Sequence, residues 1–141
     1  MIKLTPDLLI GNATIDQDHE KLISIINAFL EHSKSLNNAE LMSKTLKALL
    51  DYTKFHFERE EKIQKECMHP YHDMHIHEHN ALVMQVQEMA RIYFIEKSKP
   101  LDQHSVNMLN QFLKTWLINH IKKFDTNMRQ WVDPDWTPPQ T

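Results

Sequence analysis

Residues 52–64, "YTKFHFEREEKIQ", set His56 and Glu60 four apart on a stripe otherwise made of core-type residues. Leu49, Thr53, His56, Glu60 and Ile63 share one helical face, because 3.6 residues complete a turn. An imidazole and a carboxylate therefore point where packing residues belong. Outward from this stretch, apolar residues recur at three- and four-residue steps through four segments, about 15–35, 39–66, 71–96 and 102–131. Their stripes include Ile15, Leu22, Ile26 and Leu30; Leu46, Leu49, Phe57 and Ile63; Leu82, Val83, Val86 and Met89; and Val106, Leu109, Leu113 and Trp116. Thr14 and Gln17 have capping-box spacing, with Asp16 an equal candidate for the first cap, and Asn38 is the expected cap of the second segment. Pro70 and Pro100 mark breaks. Breaks this short favour antiparallel neighbours, so the predicted fold class is all-α, an antiparallel up-down-up-down four-helix bundle.

Composition agrees. A chain of 141 residues is the size of one domain, read here as 1–141: an N-terminal arm 1–12, the bundle at about 13–131 and a Pro-rich tail 132–141. One glycine is too few for the tight turns of a sheet protein. A net charge of −3 provides no basic footprint for nucleic acid. No run reaches the roughly 18–20 apolar residues of a membrane span, and the N-terminus does not resemble a signal peptide. The single Cys67 excludes an intrachain disulfide and fits a reducing compartment, so a cytoplasmic protein is expected. Histidine is the outlier: ten in all, five of them His69, His72, His75, His77 and His79.

Each segment carries a polar station on its apolar face. His19 lies among Ile15, Leu22 and Ile23; His75 and His79, four apart, lead into Leu82; His120 follows Trp116 by four and precedes Asp125 by five. Singly, each has a bland explanation: a satisfied core histidine, or surface patterning. Jointly they do not, because burying five imidazoles and two carboxylates at one depth is costly unless they bind something together. Five nitrogen donors are too many for one tetrahedral zinc, and too nitrogen-rich a set for magnesium or calcium. Imidazole with carboxylate suits iron, manganese or zinc, and two ions bridged by both carboxylates would use all seven ligands. The pattern of the carboxylate-rich di-iron bundles, four Glu with a Glu-x-x-His pair on each of two helices, is absent.

From Ile10 to Asp125 the chain resembles the bacterial hemerythrins. "IGNATIDQDHEKL" is similar to the family's entry into its first helix, with the ligand histidine His19. "HFEREE" resembles HFxxEE, His75 and His79 match its HxxxH, and "WLINHIKKFD" resembles its WLxxHIxxxD. The resemblance implies a non-haem di-iron centre. His75, His79 and His120 would hold one iron and His19 and His56 the other. Glu60 and Asp125 would bridge them, with a solvent-derived oxo or hydroxo group. Dioxygen would bind end-on at the iron of His19 and His56 and leave unchanged, which is carriage, storage or delivery rather than catalysis. Ile23, Leu113, Trp116 and Leu117 are expected to wall a dry pocket.

Five residues put His120 and Asp125 about 140° apart on a regular helix, so the spacing predicts a π-bulge between them. Gln17 and Asn119 are candidates to hydrogen-bond the outer ring nitrogens of the ligands. The chain also departs from the family. Its arm has "TPDLLI" in place of a tryptophan, Gln64 stands where Met is common, and His69 stands where Tyr is common. Gln64 is expected to cap the open end of the bundle, the alternative being that it brings an amide or water toward the site; His69, His72 and His77 are expected to be solvated, and Cys67 to be a small core residue. Trp131 and Trp136 are expected to pack on the bundle end or on another copy. Two other roles are open to the same centre: oxygen or redox sensing through a separate partner, and peroxide or nitric oxide handling or ferrous iron oxidation. The lack of an output domain disfavours the first. Few carboxylates and no evident iron exit path disfavour the second.

Overall fold

The computed structural model describes residues 1–138; the end of the expected tail, 139–141, lies outside the described residues. Four helices make the fold: α1 (Ala13–His32), α2 (Ala39–Glu66), α3 (His72–Ala90) and α4 (Gln103–Lys123). A π-helical turn, Arg91–Ile95, prolongs α3, and a 3-10 turn, Asp125–Gln130, follows α4. No strand occurs among the described residues. α1 packs on α2, α2 on α3, and α4 returns to α1. Short links make successive helices antiparallel, giving an all-α four-helix bundle.

Local chemistry sets the helix ends. Asn12, not the expected Thr14–Gln17 box, caps α1, its side chain accepting from the Ile15 amide at 3.2 Å. Asp16 instead accepts from the backbone of Ile10 and Gly11 at 2.8 and 3.2 Å, tying down the arm. Gly11, the one glycine, has φ +90, a conformation that suits the residue without a Cβ. Asn38 stands at the start of α2 but makes no capping bond with its side chain, which donates to the His32 carbonyl. Asp102 caps α4 through the Ser105 amide at 2.8 Å. α2 stops in a Schellman arrangement: the His69 amide donates to the Gln64 carbonyl at 2.9 Å, with Met68 left-handed at φ 56.

Two apolar clusters fill the interior. The larger joins Leu22, Ile26 and Phe29 of α1, Leu46, Leu49 and Phe57 of α2, Leu82 and Val86 of α3, and much of the inner face of α4. The smaller gathers Ile10, Ile15, Ile63, Met128 and Val132, with Trp136 of the tail packed against it. Between Ile15 and Leu22, between Phe57 and Ile63, and between Ile121 and Met128, a polar layer is sealed from both ends. The tail forms part of that seal. Asn12 Nδ2 lies 3.0, 3.2 and 3.0 Å from the carbonyls of Asp133, Pro134 and Trp136, and Trp136 Nε1 donates to Glu66 at 2.9 Å.

The expected π-bulge between His120 and Asp125 is absent, and the fourth helix does not run on to 131. Instead α4 ends at Lys123, Phe124 departs from helical geometry (φ −117, ψ −55), and a 3-10 turn begins at Asp125. Ending the α-helix re-aims Asp125 as widening it would have done. The π-helical turn that does occur lies in the prolongation of α3.

Candidate metal centre

His19, His56, Glu60, His75, His79, His120 and Asp125 are each at most 2% exposed and meet in the sealed layer. One ligand atom from each of Glu60, His75, His79, His120 and Asp125 lies within 4.8 Å of all the others, and His19, His56, Glu60 and Asp125 form a second group by the same measure. The carboxylates divide their oxygens between the two groups. Glu60 Oε2 lies 3.2 Å from His19 Nε2 and 3.1 Å from His56 Nε2, while its Oε1 lies 3.2 Å from His79 Nε2. Asp125 Oδ2 lies 3.1 Å from His19 Nε2; its Oδ1 lies 2.8 and 3.0 Å from the Nε2 atoms of His75 and His120.

Without metal, such a layer has to hold protons. Burial alone would depress the His19 imidazole, but the Asp125 and Glu60 carboxylates beside it outweigh burial and push it up to about 10. His120 is likewise pushed up to about 9, burial being overcome by the Asp125 carboxylate. Burial and the charge of Asp125 oppose ionisation of Glu60, yet His56 and His19 hold it well below the usual carboxylate range. Asp125 is held low by His120, His19 and His75 against its own burial. Even so, His56 Nε2, His79 Nε2, Glu60 Oε1 and Asp125 Oδ2 remain buried without a hydrogen-bond partner. Four orphaned lone-pair atoms aimed into one layer are what a bound cation would satisfy, so the donor set fits metal.

The outer ring nitrogens of His56 and His79 find partners that periodicity did not single out, whereas Nδ1 of His19 and of His120 has no hydrogen-bond partner among the described residues. His56 Nδ1 lies 2.9 Å from Asp18, whose carboxylate also accepts from Tyr52 at 2.8 Å and from Arg59 at 3.2 Å. His79 Nδ1 lies 2.8 Å from Glu61, and its ring stacks on Phe57 at 3.7 Å between centroids. Glu78 stands 3.9 Å from His120 Nδ1. Gln17 and Asn119, the expected partners, are exposed. The available signal was adjacency: Asp18 precedes His19 and Glu61 follows Glu60, each one residue round the helix from a ligand.

Gln64 corrects another expectation. It does not cap the open end but is fully buried, one turn beyond Glu60, with its amide against His75 Nδ1. His69, expected in solvent, is buried: its Nδ1 accepts from the Tyr71 amide at 3.0 Å and its ring stacks near Trp131. His72 is half-buried and His77 exposed. Cys67 is half-buried at the end of α2, its thiol pushed up by burial, and so is not the core residue expected. Ile23, Leu113, Trp116 and Leu117 are all buried in the larger cluster, and Trp116 also lines a cleft with Glu78 and His120. Among the described residues no helix is long and apolar enough to cross a membrane.

Known proteins resemble this chain over most of its length. Over 119 residues the chain is 30% identical to a bacteriohemerythrin of Stenotrophomonas maltophilia, covering 84% of this chain and 73% of that one. A hemerythrin-like protein of Naegleria gruberi is 29% identical over 116 residues, 82% and 81% of the two chains. A bacteriohemerythrin of Methylococcus capsulatus is 26% identical over 110 residues, 78% and 79%. The profile of the hemerythrin HHE cation-binding domain matches residues 10–132, which takes in all seven converging side chains and the turn that aims Asp125. The chain belongs to the hemerythrin family.

Proposed function

We propose that this chain binds dioxygen reversibly at a pair of irons held by His19, His56, Glu60, His75, His79, His120 and Asp125. The observation that carries the reading is the division of both carboxylates, each turning one oxygen toward His19 and the other toward the histidines of α3 and α4. Two ions sharing Glu60 and Asp125 are the simplest occupants of such a layer. Nitrogen-rich donors with carboxylates suit iron, manganese or zinc, and membership of the hemerythrin family selects iron. A bound iron pair supplies two reversible one-electron donors and an open coordination position.

The chain's own residues decide where that opening lies. Three histidines stand on the α3–α4 side and two on the α1–α2 side, so the His19–His56 position is one protein donor short. Asp18 and Glu61 take the Nδ1–H of His56 and His79, leaving each Nε2 lone pair pointed inward. Ile23, Leu113 and Leu117, buried in the adjoining cluster, keep water from the opening and so slow irreversible oxidation. Binding without turnover is favoured by the neutral imidazoles, which stabilise high-valent iron less than carboxylates would. The lone Cys67 fits work in a reducing cytoplasm. Ferrous loading without air, followed by alternating air and deoxygenation, tests the function. A carrier gains and loses a charge-transfer absorption over repeated cycles; a single irreversible oxidation contradicts it.

A further inference from the structure

The groups behind the site's histidines are not alike. Asp18 and Glu61 meet His56 Nδ1 and His79 Nδ1 at 2.9 and 2.8 Å. An ionised carboxylate only accepts, so both rings keep Nδ1–H whether or not metal is bound, and Nε2 is left as the ligating atom. Behind His75 stands an amide, which both donates and accepts. Gln64 Nε2 lies 2.5 Å from His75 Nδ1 and Gln64 Oε1 lies 3.2 Å from His72 Nδ1. The amide N–H thus donates to His75 Nδ1. That leaves the ring proton on Nε2, 2.8 Å from Asp125 Oδ1, a pattern suited to the metal-free layer. A ring bearing Nε2–H cannot ligate. To offer that lone pair, His75 must carry its proton on Nδ1, and Gln64 is the group placed to accept it. Half a turn of the amide brings its oxygen to His75 and its N–H to His72, whose Nδ1 must then accept.

We propose that Gln64 is a two-way amide coupling metal binding at His75 to the tautomer of His72, at the start of α3. The coupling rests on His75 being a metal ligand. His72 is half-buried, and among the described residues no protein group hydrogen-bonds its Nε2, so its proton relocates without breaking a second bond. Met128 Sδ, 3.4 Å from Gln64 Nε2, is a weak acceptor and holds the metal-free orientation only lightly. Gln64 is a positioning residue, acting on the metal through His75 alone.

Ring 15N spectra of the whole chain, metal-free and saturated with Zn2+ as a diamagnetic probe, test this. On zinc binding His75 Nδ1 should pass from pyridine-type to pyrrole-type, His72 Nδ1 should change in the opposite sense, and Nδ1 of His56 and His79 should stay protonated throughout. Gln64→Glu accepts at both ends, so zinc should still bind His75 while His72 no longer responds. Gln64→Met, which lacks the amide, should also silence His72. If zinc changes His75 but not His72 in the unaltered chain, the coupling is overturned and the ligand set stands. If His75 Nε2 does not respond while the other ligands do, its assignment as a ligand fails, and the coupling with it.

Discussion

Leu46 and Leu49 of α2 and, two turns on, His56 and Glu60 of the same helix are equally buried, yet they hold the bundle by different means. The leucines meet other apolar side chains from all four helices, and each contact is satisfied on its own. The imidazole and carboxylate are satisfied through one another, through Asp18, His19 and His79, and through what the layer binds. The apolar half is therefore tolerant and additive, whereas the polar half acts as a unit. Substitutions that separate the two kinds of dependence sharpen the contrast or break it.

The largest effect is expected at Asp125. Asp125→Ala removes an oxygen from each group at once, so iron content per chain after anaerobic loading should fall from two toward none; full retention would break the contrast. Leu49→Ala should cost about 2–5 kcal/mol in urea unfolding, the usual range for truncating a buried leucine, by the same amount with and without metal. Asp18→Ala takes the acceptor from His56 Nδ1 and should weaken metal binding roughly 10–100-fold, read by competition with a chelator. Unchanged affinity would show that His56 needs no outer partner.

Acid and alkali act on the polar half alone. In the metal-free protein His19 and His120 are pushed up to about 10 and about 9, so their contribution is complete below the ordinary histidine value of 6.5. It disappears as pH rises through 9–10. Glu60 and Asp125 are held low, so their contribution is complete above their ordinary values of 4.5 and 3.8 and fades as pH falls below them. Urea midpoints of metal-free protein should therefore be highest between about pH 4.5 and 6.5 and decline on the alkaline side. A midpoint rising from pH 7 to 10 would contradict the ion pairing. The smallest effect is expected away from both halves. Met68→Gly relieves a left-handed residue and should stabilise by about 1 kcal/mol, with metal binding unchanged.

Helical periodicity reveals which face a residue occupies, and that sufficed to read the four helices and the polar layer from sequence. It does not reveal how helices are rotated against one another. Asp18 carries no signal in helical spacing, because its partners, Tyr52, His56 and Arg59, all belong to α2. Gln64 looked like an end cap because its environment is set by α3. The five-residue step from His120 to Asp125 correctly signalled a departure from α-geometry, but ending a helix and widening one solve the same angular problem. The burial of His69 and the docking of Trp136 depend on where α2 stops and the tail returns, contacts that no local spacing encodes.

Iron per chain, measured by intact-protein mass spectrometry after anaerobic ferrous loading and removal of loosely held metal, tests the central claim most directly. Two irons in the unaltered chain are predicted, both lost in Asp125→Ala. One iron, or none, in the unaltered chain would contradict the shared-carboxylate centre.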